Sequence, residues 1–185
     1  IMSDTFCPIP WIFQAARANG DVRVCCQANV TPNRGVLRKH DGTAYNAGKD
    51  DLQEARNAEL MKTMRSQMLL GEWNEECGRC KQEEEAGLNS RRQYEQLNWN
   101  YTIDKAMEET DLDGSIEVDE TPLKYFDLRF GNFCNLKCRM CGPTDSDSWY
   151  SDWIKITGKD TFKETSGEVK IYQKLIDSSS LSEAP

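Results

Sequence analysis

A chain of 185 residues can bury one core with an accessory unit, and a net charge of -8 offers no global basic field for phosphate backbones, which argues against a nucleic-acid partner. No apolar run approaches the ~20 residues that cross a bilayer, and Ile1-Met2-Ser3-Asp4 lacks a basic-then-apolar leader, so the expectation is a cytoplasmic protein without a membrane partner. Eight cysteines in such a chain point to metal ligation before disulfides.

In chain order, Cys7-Pro8-Ile9-Pro10-Trp11 reads as an extended start. A hairpin follows: Trp11 to Ala16, a turn at Asn19-Gly20-Asp21, then the alternating Val22-Arg23-Val24. Residues 31–49, rich in Gly, Asn and Lys, read as a loop. From Asp50 to Leu70, Leu52, Ala55, Leu60, Met64 and Met68 recur at helical spacing before Gly71 supplies a stop. A second, strongly charged helix is predicted from Lys81 to about Asn98. Residues 102–121 carry Asp111, Asp113, Asp119 and several glutamates and read as an exposed acidic connector. Leu123 to Phe130 reads as a strand with Phe126, Leu128 and Phe130 on one face, and Gly131-Asn132 ends it. Further helices are predicted over 145–157 and 168–176, ahead of a serine-rich end.

Cys134, Cys138 and Cys141 stand as C-x3-C-x2-C in the loop after that strand. Three thiolates so close in sequence can cap three corners of an iron–sulfur cube, whereas structural zinc takes four protein ligands. The missing fourth ligand leaves one iron open. A strand, Gly-Asn and this cysteine loop resemble the first strand and cluster loop of the radical S-adenosylmethionine (SAM) superfamily. The resemblance implies a 4Fe-4S cluster on Cys134, Cys138 and Cys141, with SAM chelated at the open iron and cleaved to a 5'-deoxyadenosyl radical that abstracts hydrogen from a substrate. It also implies an adenine contact at Met140, where the family more often has an aromatic residue, and an electron donor such as a flavodoxin or ferredoxin.

Cys7, the pair Cys25-Cys26, and Cys77-Gly78-Arg79-Cys80 form a second group. Four thiolates from a leading segment, a hairpin and a knuckle would complete a closed site for a 4Fe-4S cluster or for zinc. This order resembles the SPASM or Twitch auxiliary-cluster domain, with its Cys-Pro-Ile-Pro-Trp start, a Gly-x4-Cys spacing that selects Cys25, and Arg65 and Gly71 before the knuckle. Cys26 stays the alternative to Cys25. In those families the module follows the barrel, whereas here it precedes it.

The fold expected is therefore α+β: a small β-hairpin and helix module over 1–100, an acidic connector over 101–121, and over 122–185 the first β/α portion of a truncated radical SAM partial (β/α)6 barrel. On this reading the chain is a fragment, itself inactive, of an enzyme acting on a peptide or a small molecule. The alternative is a non-catalytic zinc or iron–sulfur binding module. Glu109 to Glu120 also matches much of a calcium loop, but a Glu opens it and Thr-Pro and a strand follow it, so a solvated acidic segment is the stronger reading. His40, the only histidine, sits in a polar stretch and reads as a solvated loop residue.

Overall fold

The computed structural model describes residues 4–28, 35–129, 131–143 and 145–158. It divides into two units, residues 1–128 and 129–185. The helix expected over 168–176 and Phe130 lie outside the described residues.

The first unit begins with a single helical turn, α1 (Ile9–Ile12), where extended chain was expected, because Pro10 supplies the fixed φ of a helix start and Trp11 and Ile12 donate back to Pro8 O. Strand β1 (Phe13–Ala16) follows and pairs antiparallel with β2 (Val22–Arg23) in the hairpin that the Asn-Gly turn predicts. The segment read as a loop is partly paired: Val36, Arg38, Ala44 and Asn46 form isolated bridges, and Leu37 N–H donates to Val22 O at 2.9 Å. The backbone groups of a half-buried segment need such partners, whatever its Gly and Asn content.

The helix expected over 50–70 is two helices, α2 (Leu52–Ala55) and α3 (Glu59–Leu70), with the chain turning at residues 56–58. The break lets Arg56 turn inward, where its guanidinium donates to Trp11 O at 2.9 Å and Thr121 O at 2.6 Å. Gly71 ends α3 in the left-handed conformation at φ 79°, as a helix stop requires. The second charged helix is likewise divided, into α4 (Gly78–Glu85) and α5 (Arg91–Asn98). Ser90 and Gln93 form a capping box that starts α5 afresh.

Residues 101–121 do not form a free connector. They contribute α6 (Ile103–Glu108) and a turn, and Tyr101, Ala106, Ile116 and Thr121 are buried in the first unit. Gly114, at φ 84°, lies so close to α3 that a Cβ there would stand 2.2 Å from Lys62 O. Asp113 pairs with Lys62 at 3.0 Å and accepts from Ser115, so the acidic turn is tied to α3 by its own side chains. The fully buried Arg65 completes the tie. It donates to Pro10 O at 3.0 Å, Asn57 Oδ1 at 3.2 Å, Gly114 O at 3.1 Å and Arg56 O at 2.6 Å. Burial, and then the charge of Arg56, pull its pKa down to about 9, which leaves it cationic at neutral pH.

Strand β3 (Tyr125–Leu128) pairs parallel with β1, giving the order β2-β1-β3. The strand before the cysteine loop thus belongs to the first unit's sheet, and the expected boundary at residue 122 moves to 128/129. The ring of Tyr125 packs on Phe13 at 4.7 Å and on Trp99 at 5.8 Å, which fixes that pairing. Phe126 and Leu128 share a face as predicted, and that face is exposed, 52% and 41%. Among the described residues the only sheet has three strands, and no barrel closes. In the second unit a 3-10 turn at Asp147–Trp149 leads into α7 (Tyr150–Thr157), within the helix predicted over 145–157. No helix among the described residues is long and apolar enough to cross a membrane.

Candidate metal-thiolate sites

Four cysteines from three separate stretches line one cavity of about 30 Å³ in the first unit: Cys7 before α1, Cys25 after β2, Cys77 at the end of a 3-10 turn and Cys80 on α4. The remaining wall is largely apolar, with Ile9, Pro10, Ala28, Met64 and Met68, and Arg91 and Arg92 border it. The structure therefore places Cys25 in the wall, whereas Cys26 is exposed. The turn at Asn74, whose side chain accepts from Glu76 N–H at 2.9 Å, positions the knuckle, and α3 delivers Met64 and Met68 as the cavity floor.

Electrostatically this is a pocket of neutral thiols. Burial pushes the Cys77 thiol up to about 12, with Cys80 and Glu76 adding to the shift. Burial likewise raises Cys7 and Cys80, each only 7% exposed. The Cys25 thiol donates to Cys26 and is itself raised, first by that bond and then by burial, while Cys26 is lowered to about 6. Opposing burial, main-chain N–H groups face the sulfurs: Ile9 toward Cys7, Gln27 toward Cys25 at 3.4 Å, and Arg91 and Arg92 toward Cys80. Such N–H donors favour thiolate over thiol. A soft, multivalent cation displacing the protons would complete that preference.

The second unit holds Cys134, Cys138 and Cys141 in a surface loop, Cys138 exposed and the other two half-buried. Cys141 N–H donates to Cys138 O at 3.0 Å, and the Cys141 thiol donates to Cys138 Sγ. The Cys141 thiol is raised by desolvation first and then by Cys138, Asp145 and Cys134. The loop is held by residues that spacing of cysteines does not reveal. Buried Ser146 donates to Leu136 O at 2.7 Å and to Cys134 O at 3.2 Å, Ser148 donates to Cys134 O at 2.5 Å, and Trp149 Nε1 donates to Cys138 O at 3.1 Å. Asp147 closes the set by accepting from Cys134 N–H at 3.1 Å. The signal for them was Asp145-Ser146-Asp147-Ser148-Trp149 itself, a dense run of short polar side chains beside a cysteine loop. Met140 projects into solvent, 98% exposed.

Taken as they stand, no three Cys, His, Asp or Glu side chains among the described residues converge on the single point that one ion needs. Asp111 and Asp113, the calcium candidates, are engaged with Ser115 and Lys62. His40 sits on the rim of a separate open cleft of about 550 Å³ with Arg38 and Lys39. Comparison with protein-family models, with curated proteins and with solved structures finds no match to this chain.

Proposed function

We propose that the chain carries two iron–sulfur sites, one in each unit, and contributes the cluster loop of a cytoplasmic radical SAM enzyme whose auxiliary cluster lies in the first unit. The observation that carries the reading is the meeting of Cys7, Cys25, Cys77 and Cys80 at one cavity, since four thiols drawn to one place from segments far apart in the chain are the donor set that soft metals take. Four protein sulfurs close the first site, and three leave the loop site with an open corner. The donor chemistry fits at both: thiols only, N–H groups facing sulfur at the first set, and a loop whose carbonyls are pinned by Ser146, Ser148 and Trp149 at the second.

When bound at the loop, a 4Fe-4S cluster supplies the electron that cleaves SAM. The chain's own residues then have distinct tasks. Ser146, Ser148 and Asp147 hold the Cys134 peptide, so the loop keeps one shape when its thiols lose their protons. The exposure of Met140 beside Cys141 leaves its side chain free to lie against an adenine ring. The electron donor, of flavodoxin or ferredoxin type, and a peptide or small-molecule substrate complete the proposed system.

Anaerobic reconstitution with iron and sulfide, followed by EPR of the reduced chain with and without SAM, tests this reading. The loop signal is expected to change on adding SAM and to vanish in Cys138→Ala. A spectrum indifferent to both would overturn the assignment. Zinc at the first set is the second reading, favoured by a closed set of four thiols, which serves either metal, and metal analysis of the purified chain separates the two.

A further inference from the structure

The first thiol set is assembled from segments that share no secondary structure, so something must hold the Cys7 segment against the Cys80 helix before any metal arrives. One side chain reaches both. Arg92, on α5 and only 8% exposed, donates through Nη1 to Phe6 O at 3.0 Å, one residue before Cys7. Through Nε and Nη2 it grips the carboxylate of Glu84, on the same helix as Cys80, at 2.8 and 2.6 Å. Ser90 donates to the same carboxylate at 2.5 Å while capping α5, and Gln96 donates to Phe6 O at 2.8 Å. The guanidinium lies over the Trp73 ring at 5.5 Å, a contact that keeps its plane fixed.

We propose that Arg92 is the positioning residue of the first thiol set: it locks Phe6 to Glu84, seats the first turn of α5 against Cys80, and so sets both the affinity of the site for its metal group and the potential at which that group is reduced. The inference rests on the iron–sulfur reading of Cys7, Cys25, Cys77 and Cys80 and adds to it a residue that binds no metal. Its physical basis is twofold. A planar, two-pronged guanidinium fixes two backbone segments at once, which a lysine ammonium does not. It also places a positive charge, partly balanced by Glu84, in the wall of a low-dielectric cavity beside thiolates, and charge and N–H donors around sulfur are what tune such groups.

The test uses the whole chain carrying Cys134→Ala, Cys138→Ala and Cys141→Ala, so that the first set alone can take iron. Iron and sulfide content are measured after anaerobic reconstitution, and the midpoint potential is measured by EPR-monitored titration. Adding Arg92→Met is expected to weaken iron retention against a chelator by about 10-fold or more and to move the midpoint to more negative potential. Arg92→Lys, which keeps the charge, is expected to weaken retention with a smaller shift. Glu84→Gln removes the balancing negative charge and should move the midpoint the opposite way. A purely structural role would lower iron content without these opposite shifts. Should Arg92→Met fail to fold, as read by circular dichroism, Arg92→Lys and Glu84→Gln carry the comparison. The proposal is overturned if the variants retain iron like their parent, or if the midpoint is the same in all of them. A parent that takes up no iron would overturn the iron–sulfur reading of the first set, and this inference with it.

Discussion

Cys7 and Cys80 sit 7% exposed in an apolar wall, while Cys138 stands in open solvent on a loop pinned by serine hydroxyls and an indole N–H. The two thiol sets thus face opposite problems. The first is set in a core, and a metal taken up there would have to displace protons that burial holds tightly, so its binding would be coupled to the folding of the unit. The second lies on a short surface loop whose shape is carried by local hydrogen bonds from Ser146, Ser148 and Trp149. Burial therefore makes the first set a matter of stability and the second a matter of access.

The largest way to break this contrast is to loosen the core beneath the first set alone. Arg65→Met would strip Pro10 O, Gly114 O and Arg56 O of their donor in the buried interior. Unsatisfied buried acceptors make that loss about 3 kcal/mol or more. Urea unfolding should show the loss, and iron retention by the first set should fall while the loop set is unaffected.

The contrast is sharpened by pH. The Cys77 thiol is raised from 9.0 to about 12 by burial, so the metal-free fold draws on the neutral thiol below pH 9 and loses that contribution as pH rises toward 12. Metal bound at this set would reverse the sign, because thiolate ligation weakens as protons return. Urea midpoints of the metal-free chain at about pH 8 and about pH 10.5 should differ, with Cys77→Ala reducing the difference and Cys7, Cys25 and Cys80, raised as well, supplying what remains. The smallest effect is expected from Ser146→Ala, which removes two hydrogen bonds to loop carbonyls. About 1 kcal/mol of local order is lost, visible as weaker iron loading of Cys134, Cys138 and Cys141 with the first set intact.

What could be read from sequence follows the range of the forces involved. The three loop cysteines stand within one short segment, and the Asn-Gly turn and Gly71 act within a few residues, so the loop, the hairpin and the helix stop were legible. The division of the charged helix was also written locally, in Gly87 and in Ser90 with Gln93, but charge periodicity masked it. The packing of residues 101–121 was not legible. Tyr101, Ala106, Ile116 and Thr121 show no period, and their burial depends on Arg56 and Arg65, whose carbonyl partners lie far along the chain. For the same reason Arg92 looked like one more charge on a polar helix. Its partner Phe6 O is a backbone atom, which no side-chain pattern announces.

The central claim is that the two sets are separate iron–sulfur sites, and paired removal tests it most directly. Iron per chain would be measured after anaerobic reconstitution in the Cys134, Cys138 and Cys141 triple alanine variant and in the Cys7, Cys25, Cys77 and Cys80 quadruple alanine variant. Each is predicted to keep about half the iron of the parent, with EPR signals that sum to the parent's spectrum. Iron that disappears entirely from either variant, or zinc that replaces it in the triple variant, would contradict the account.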